Sequence, residues 1–168
     1  MNEYKCLSSK AKIEKIDTSV KHEMVGNIVQ SLSVCLADTY ILLLKTHGYH
    51  WNVVGPQFVA LHGFLDEIYQ DLGEAVDTIA ERIRALGHPA PASFEQYRKL
   101  SSITETLHPL EADKMLQDLL NDHENMAKLM QKAIRTAQEG HDEGSADILI
   151  ERIRQHEKYA WMLRSLVC

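Results

Sequence analysis

The chain has 168 residues, 45% of them hydrophobic, and a formal net charge of -6 at pH 7. This length is sufficient for one domain with a sizeable core, and the negative charge argues against a surface that binds nucleic acid over its whole extent. The N-terminus lacks the apolar run of a signal peptide, no later run predicts a membrane span, and Cys6, Cys35 and Cys168 are expected to be reduced thiols of a cytoplasmic protein.

Four long helices are predicted, because glycine and proline interrupt a helical repeat of apolar residues at only a few positions. The first covers about residues 20 to 51, and its apolar stripe includes Cys35 and Leu44. The second begins near Pro56 and ends at the Leu-Gly-His-Pro sequence of residues 86 to 89. A connection of about twenty residues, with a short helix at 93 to 99, leads to a third helix from Pro109 to residue 140 and a fourth from about 145 to 166.

Such a long connection between the second and third helices predicts a crossover along the length of a bundle. The fold class is therefore all-α, a ferritin-like four-helix bundle whose crossover carries a short helix. Residues 1–19 are predicted to form a flexible tail, and residues 20–168 the bundle domain.

Four chemistry-bearing residues share one face of the second helix. With His62 at zero and about 100° of rotation per residue, Asp66, Asp77 and Glu81 all fall within about 100° of it. His50 ends the first helix and, in an antiparallel hairpin, returns beside residues 60 to 62. Two imidazoles and three carboxylates suit iron(II), zinc or manganese, and the set lacks the thiolates of a structural zinc site. The alternative is a solvated acidic face with histidines nearby.

One ion cannot bind all of these residues of a single chain. Asp66 and Asp77 stand about 16 Å apart along the helix axis, whereas bonds from metal to oxygen or nitrogen are about 2 Å long. An antiparallel second copy, related by a two-fold axis near Asp71 and Leu72, brings one pair opposite the other. The sequence therefore predicts a site shared between subunits and present twice in each dimer.

The sequence His50-Trp51-Asn52, followed by His62, Asp66 and the Asp-Thr-Ile-Ala-Glu-Arg run of residues 77 to 82, resembles the signature of the Dps family, the miniferritins. The resemblance implies a hollow homo-dodecamer with a ferroxidase centre at each dimer interface, built from His50, His62 and Asp66 of one subunit and Asp77 and Glu81 of its partner. It implies oxidation of iron(II), preferably by hydrogen peroxide, storage of the ferric mineral, and protection of DNA.

The resemblance also suggests further roles, each with a structural alternative. Trp51 is either within electron-transfer reach of the centre or an ordinary interface aromatic. Carboxylates beside the ligand face either nucleate mineral or form a solvated or salt-bridged face; these are Glu67, Asp71 and Glu74. An acidic pore at the start of the last helix is assigned to Asp142, Glu143 and Asp147, although Gly144 stands where some members carry aspartate. A DNA-binding tail is assigned to Lys5, Lys10, Lys12 and Lys15.

Two rival functions remain. The first is a DNA-compacting, nucleoid-associated protein whose ferroxidase activity is secondary or lost. Deleting the tail would separate the two functions, because it should abolish DNA binding and leave iron oxidation intact. The second, a ferritin with its metal site inside the bundle, requires Glu-x-x-His motifs on two helices, and the chain has one match, Glu105 to His108, in the crossover. Three histidines without matching carboxylates inside the bundle are expected to be surface residues or hydrogen-bonded ones; these are His123, His141 and His156.

Overall fold

The computed structural model describes residues 13, 16–108 and 110–167, and every regular element in that part of the chain is helical. A 3-10 helix, His22–Met24, precedes α1 (Val25–Asn52) and α2 (Phe58–Ala85). The crossover carries α3 (Phe94–Leu100), and α4 (Ala112–Glu139) and α5 (Glu143–Leu166) complete the fold. Four long helices and a short one in the crossover confirm the predicted fold class.

The bundle consists of two antiparallel hairpins, α1 with α2 and α4 with α5. Contacts across the bundle show which ends meet. The Arg82 guanidinium, near the end of α2, reaches Asp142 at the start of α5, whereas Tyr49, near the end of α1, donates a hydrogen bond to Asp118 near the start of α4. The segment between α2 and α4 therefore runs the length of the bundle, as predicted for a crossover.

The first helix begins later than predicted because the preceding backbone bonds to another part of the chain. The Lys21 N–H donates to the carbonyl of Gly140 over 2.9 Å, and its ammonium donates to the Glu139 carbonyl. Ile16, inside the predicted tail, packs against the core together with Val20. The end of the α4 helix thus receives hydrogen bonds from the segment that leads into α1.

A buried carboxylate ties the crossover to α1. Asp38, 1% exposed, accepts hydrogen bonds from the Ser102 backbone and from the hydroxyls of Ser101 and Ser102 at 2.6 to 2.7 Å. Ser93 caps α3, its side chain accepting from the Gln96 N–H, close to the predicted start of this helix. These contacts hold a long connection in one conformation along α1.

The apolar faces of the helices form one continuous core, with two departures from expectation. Leu44 is 44% exposed and, seven residues from the exposed Trp51, shares its face of α1.

The stretch His22–Asn52 is apolar and long enough to cross a membrane, contrary to the expectation of no such run. In this structure 61% of its most apolar window is buried inside the bundle.

Cys35 lies in that core, where burial raises the pKa of its thiol to about 12. The thiol is therefore protonated at neutral pH and packs as a small apolar group, as expected for a structural cysteine. Cys6 and Cys168 lie outside the described residues.

Candidate metal centre

Two histidines face each other where α1 and α2 approach at the hairpin turn. His50 and His62 have ring centroids 3.8 Å apart with planes inclined by 21°. Each Nδ1 lies 2.9 Å from the backbone carbonyl oxygen of the other residue, so the contact is reciprocal. This placement confirms the prediction that His50 returns beside His62.

The reciprocal hydrogen bonds place a proton on the Nδ1 of both rings. A carbonyl oxygen accepts and never donates, so both Nδ1 atoms carry a proton. In the neutral imidazole, each Nε2 then has a free lone pair. Histidines that bind metals commonly use this arrangement, with the second nitrogen held by a backbone carbonyl. His50 and His62 are therefore oriented and protonated as metal ligands require.

Asp66, one turn after His62 on α2, is held by neighbours that sequence reasoning missed. Gln70 donates its amide N–H to Asp66 Oδ2 over 2.7 Å. A hydrogen bond to Asp66 also raises the pKa of the Tyr69 hydroxyl, which thus remains a donor at neutral pH. The Tyr69 ring stacks on His47, with centroids 4.1 Å apart. Polar residues at i+3 and i+4 of a ligand on a helix are the signal that identifies such supports.

The second pair of predicted ligands lies elsewhere on α2. Asp77 and Glu81 are exposed. Within the described part of one chain no three histidine, cysteine, aspartate or glutamate side chains converge into a metal-binding group, and this includes His50, His62 and Asp66. For Asp66 and Asp77 this agrees with the separation of about 16 Å worked out along the helix axis. One chain therefore carries the predicted ligands of α2 at two separate places, His62 with Asp66 and Asp77 with Glu81.

Trp51 lies next to His50 in sequence and is 61% exposed. Its ring contacts His47, with centroids 4.1 Å apart, and His47 in turn stacks on Tyr69. Ring contacts thus lead from Tyr69, which hydrogen-bonds to Asp66, through His47 to the exposed Trp51. The geometry is compatible with either role predicted for Trp51.

The end of α1 that carries His50 is fixed by a buried polar cluster. The Lys45 ammonium bonds to Asp122 and Asp118, at 2.6 and 3.0 Å, and Tyr49 donates to Asp118 over 2.6 Å. Burial opposes ionisation of Asp118, but hydrogen bonds from Tyr49 and Lys45 outweigh it and lower its pKa. Burial raises the pKa of Asp122 in spite of Lys45. These contacts hold the part of α1 that directly precedes His50 against α4.

The carboxylates predicted to nucleate mineral differ in their surroundings. Asp71 accepts two hydrogen bonds from Arg152, at 2.8 and 2.6 Å, so its oxygens are already engaged. Glu67 lies 3.4 Å from the ammonium of the exposed Lys158, and Glu74 is exposed. The ion pair with Arg152 makes Asp71 part of a salt-bridged face, as in the structural alternative. Nucleation of mineral by Glu67 and Glu74 stays a prediction.

The predicted pore carboxylates also separate into two kinds. Asp142 is 1% exposed; it accepts from the backbone and hydroxyl of Ser145 and pairs with Arg82. It is a helix cap rather than a free pore carboxylate, which corrects the assignment. Glu143 and Asp147 are exposed. A Cβ added at Gly144 would lie 3.3 Å from Arg82 Cζ, so glycine leaves room for this guanidinium.

Two other predictions have different outcomes. The tail lysines Lys5, Lys10, Lys12 and Lys15 lie outside the described residues. His123 and His156 are fully buried, so they are not surface histidines; their Nδ1 atoms lie 2.8 Å apart, and each Nε2 has no hydrogen-bond partner among the described residues. Exposed His141 agrees with the expectation of a surface histidine.

Comparison with known proteins relates nearly the whole chain to ferritin-like proteins. The ferritin-like domain family matches residues 29–167. An uncharacterized low temperature-induced protein of Nostoc is 38% identical, over 91% of this chain and 87% of the relative. DNA protection during starvation protein 2 of Bacillus anthracis is 36% identical, over 86% of this chain and 99% of the relative. The crystal structure of a Dps protein from Vibrio cholerae, described as a ferritin-like diiron-carboxylate protein, has a TM-score of 0.84 at 28% identity and covers 92% of this chain and 100% of that one.

Proposed function

Since the chain belongs to the Dps family of ferritin-like proteins, we propose that it oxidises iron(II) to iron(III) at centres shared between two subunits and stores the ferric product inside a cage of twelve copies. The preferred oxidant is hydrogen peroxide, and the consequence is protection of DNA in the cytoplasm. Iron is the substrate and cargo of this reaction.

The observation that carries the proposal is the reciprocal bonding of His50 and His62. Their Nδ1 protons are committed to backbone carbonyls, which leaves a lone pair on the Nε2 of each neutral ring, and His62 stands one helical turn before Asp66 on α2. A solvated acidic face has no need for such an arrangement. Nitrogen and oxygen donors of this kind suit iron(II), and carboxylates favour the harder iron(III) product.

The two separate pairs of predicted ligands on α2 support a centre completed by a second subunit. His50, His62 and Asp66 come from one subunit, and Asp77 and Glu81 from the other. The exposed Leu44 and Trp51, together on one face of α1, are the kind of apolar surface that a partner covers. A two-fold interface repeats every contact, so each dimer gains two centres.

Within this centre the side chains bind iron(II), orient the carboxylate ligand and hold protons at fixed atoms. His50 and His62 bind iron(II) through neutral Nε2 atoms, while Tyr69 and Gln70 fix Asp66 by hydrogen bonds. Two iron(II) ions give up two electrons, which with two protons reduce one hydrogen peroxide to two molecules of water. Both reagents of hydroxyl-radical chemistry are consumed together, which accounts for DNA protection.

A mixing experiment tests the shared centre. One variant carries His62→Ala and Asp66→Ala, and the other carries Asp77→Ala and Glu81→Ala. Each alone lacks part of every centre and is expected to oxidise iron(II) no faster than buffer. If the two are unfolded, mixed equally and reassembled, random pairing gives half mixed dimers with one intact centre each, or about 25% of the wild-type number of centres.

Iron(II) is added anaerobically to each assembled sample, and ferric absorbance is followed after equal electron equivalents of hydrogen peroxide or air. Recovery near a quarter of the wild-type rate with peroxide supports the proposal. No recovery in a mixture that assembles normally contradicts a shared centre, and faster oxidation by air than by peroxide contradicts the oxidant. Exposed Lys128→Gln, away from these ligands, serves as the control variant.

DNA compaction is the second candidate function, favoured by the Bacillus anthracis relative being named for DNA protection. Direct binding would rest on the tail lysines, twelve copies of which would multiply weak contacts. Deletion of residues 1–15 is expected to abolish any retardation of DNA in gels and to leave iron oxidation intact. Retained DNA binding by the truncated protein would contradict the tail assignment.

A further inference from the structure

A second histidine pair lies inside the bundle, in a place that the proposed metal centre does not use. His123 on α4 and His156 on α5 are both 0% exposed, and their Nδ1 atoms are 2.8 Å apart. Three polar atoms around this contact, Nε2 of each histidine and Nε of Arg152, are buried without a hydrogen-bond partner among the described residues. Buried polar atoms are nearly always hydrogen-bonded, so three unpaired ones on neighbouring side chains indicate a ligand.

The contact between the two Nδ1 atoms determines the remaining donors and acceptors. A hydrogen bond between nitrogens requires one proton, so one ring carries it on Nδ1 and the other ring accepts. Two neutral rings then differ in tautomer. The ring that donates through Nδ1 has a free lone pair on Nε2, while the ring that accepts carries its proton on Nε2. The pair therefore presents one acceptor and one donor.

Arg152 adds a second donor and keeps the pair neutral. Its two terminal nitrogens donate to Asp71, which leaves the Nε–H unbonded. Burial, reinforced by the positive charge of Arg152, lowers the pKa of His123 to about 3 and that of His156 well below its ordinary value. Both rings are thus uncharged at neutral pH, and the inventory of two donors and one acceptor holds.

This inventory discriminates between classes of ligand. A metal ion requires several lone pairs, but the cluster offers one and places a guanidinium beside it. An anion requires donors alone and would meet the free imidazole lone pair and the nearby Asp71 carboxylate. Water both accepts and donates, so it can pair with the donor Nε2 as well as with the acceptor Nε2. These two nitrogens lie on opposite outer sides of the pair, because the Nδ1 atoms face each other with ring centroids 5.0 Å apart, and each therefore bonds its own water. Water is the ligand whose bonding matches the cluster.

We propose that His123, His156 and Arg152 form an internal water-binding site, in which an imidazole pair of opposite tautomers holds ordered water between α4 and α5. The site extends through Arg152 to Asp71 on α2, so one polar chain connects three of the four long helices. This inference is independent of the proposed metal chemistry, because none of its residues belongs to the ligand set.

The tautomers are tested on the wild-type cage by solid-state NMR with 15N-labelled histidine, assigned with His123→Leu and His156→Leu variants. One ring protonated at Nδ1, one at Nε2, and a water proton correlation to an Nε2 are expected at neutral pH. A high-resolution crystal structure should place a water within about 3.2 Å of at least one of the unpaired nitrogens. Identical tautomers, a cationic ring, an anomalous metal signal at the pair, or no ordered water in the crystal structure would each overturn the proposal.

Stability measurements provide a second test with a distinctive pattern. Each single leucine variant leaves the buried Nδ1 of the other ring without its partner, whereas the double variant removes the polar requirement of both rings. The double variant is expected to unfold at a higher temperature than either single variant, and His22→Gln, at an exposed position, is the control. If the double variant instead unfolds at a lower temperature than both, the rings stabilise the core by packing and the proposal fails. If a single variant does not fold, the NMR and crystallographic measurements on the wild-type protein decide.

Discussion

Acidification should destabilise this protein through its buried histidines before the carboxylates titrate. Since the pKa of His123 falls from 6.5 to about 3 on folding, the unfolded chain binds a proton more readily than the folded one. The stabilising difference is complete above pH 6.5 and is lost progressively as the pH falls towards about 3. The opposite sign would hold for a histidine whose pKa was raised by folding.

The magnitude follows from the shift itself. At about pH 5 the unfolded His123 is almost fully protonated and the folded one is not, which lowers the free energy of unfolding by about 2 kcal/mol relative to pH 8. His156, whose pKa is also lowered, acts in the same direction. The charged and titratable groups around the pair are Arg152, Tyr159 and, through Arg152, Asp71.

Urea unfolding followed by circular dichroism, at about pH 8 and about pH 5 and at one protein concentration, measures this loss. The double variant His123→Leu with His156→Leu is the matched comparison, because it retains every other titrating group. It should lose at least about 2 kcal/mol less than the wild type between these pH values. Equal losses in the two proteins would show that other residues cause the acid sensitivity, and would refute this reasoning.

Three further predictions concern contacts outside this pair. Asp142→Ala removes a cap and a buried ion-pair partner, and should lower the free energy of unfolding by about 2 to 4 kcal/mol in denaturant titrations. Asp38→Ala releases the crossover, and hydrogen exchange at residues 101–103 should become at least about tenfold faster while the helices stay protected. Tyr69→Phe removes a hydrogen bond to Asp66 and should weaken iron(II) binding by about tenfold in anaerobic titrations, with Tyr97→Phe as the control away from the ligands.

The helices could be predicted from the sequence because each is specified by neighbours three and four residues apart. The same regularity placed His62, Asp66, Asp77 and Glu81 on one face and separated them into two sets, since rotation and rise per residue depend on no distant contact. The start of α1 could not be predicted in this way, because its preceding N–H groups bond to the end of α4, more than a hundred residues away.

Long-range ion pairs account for the other differences. Asp71 and Asp142 were assigned by their position on a helix, but their partners Arg152 and Arg82 stand 81 and 60 residues away in sequence. The helical periodicity of the sequence carries no information about such pairing. His123 was visible within the apolar stripe of its helix, which could have indicated burial, whereas its contact with His156 depends on the register between α4 and α5.

Correction of the Asp142 assignment changes what can be expected of an acidic entrance at the start of α5. Exposed Glu143 and Asp147 remain as free carboxylates, and Gly144 contributes none. If this end of the helix lines a pore, as the family resemblance implies, the two carboxylates should concentrate iron(II) at the entrance.

The double variant Glu143→Gln with Asp147→Asn should then slow the initial rate of iron uptake by about tenfold at low ionic strength. The difference from wild type should shrink in high salt, because exposed charges are screened over about 10 Å at 0.1 M. Unfolding stability should change little, in contrast to Asp142→Ala, since neither side chain is buried. An uptake rate equal to wild type at low salt would mean that iron enters elsewhere, and a slow rate that is insensitive to salt would indicate a disturbed assembly rather than a lost electrostatic attraction.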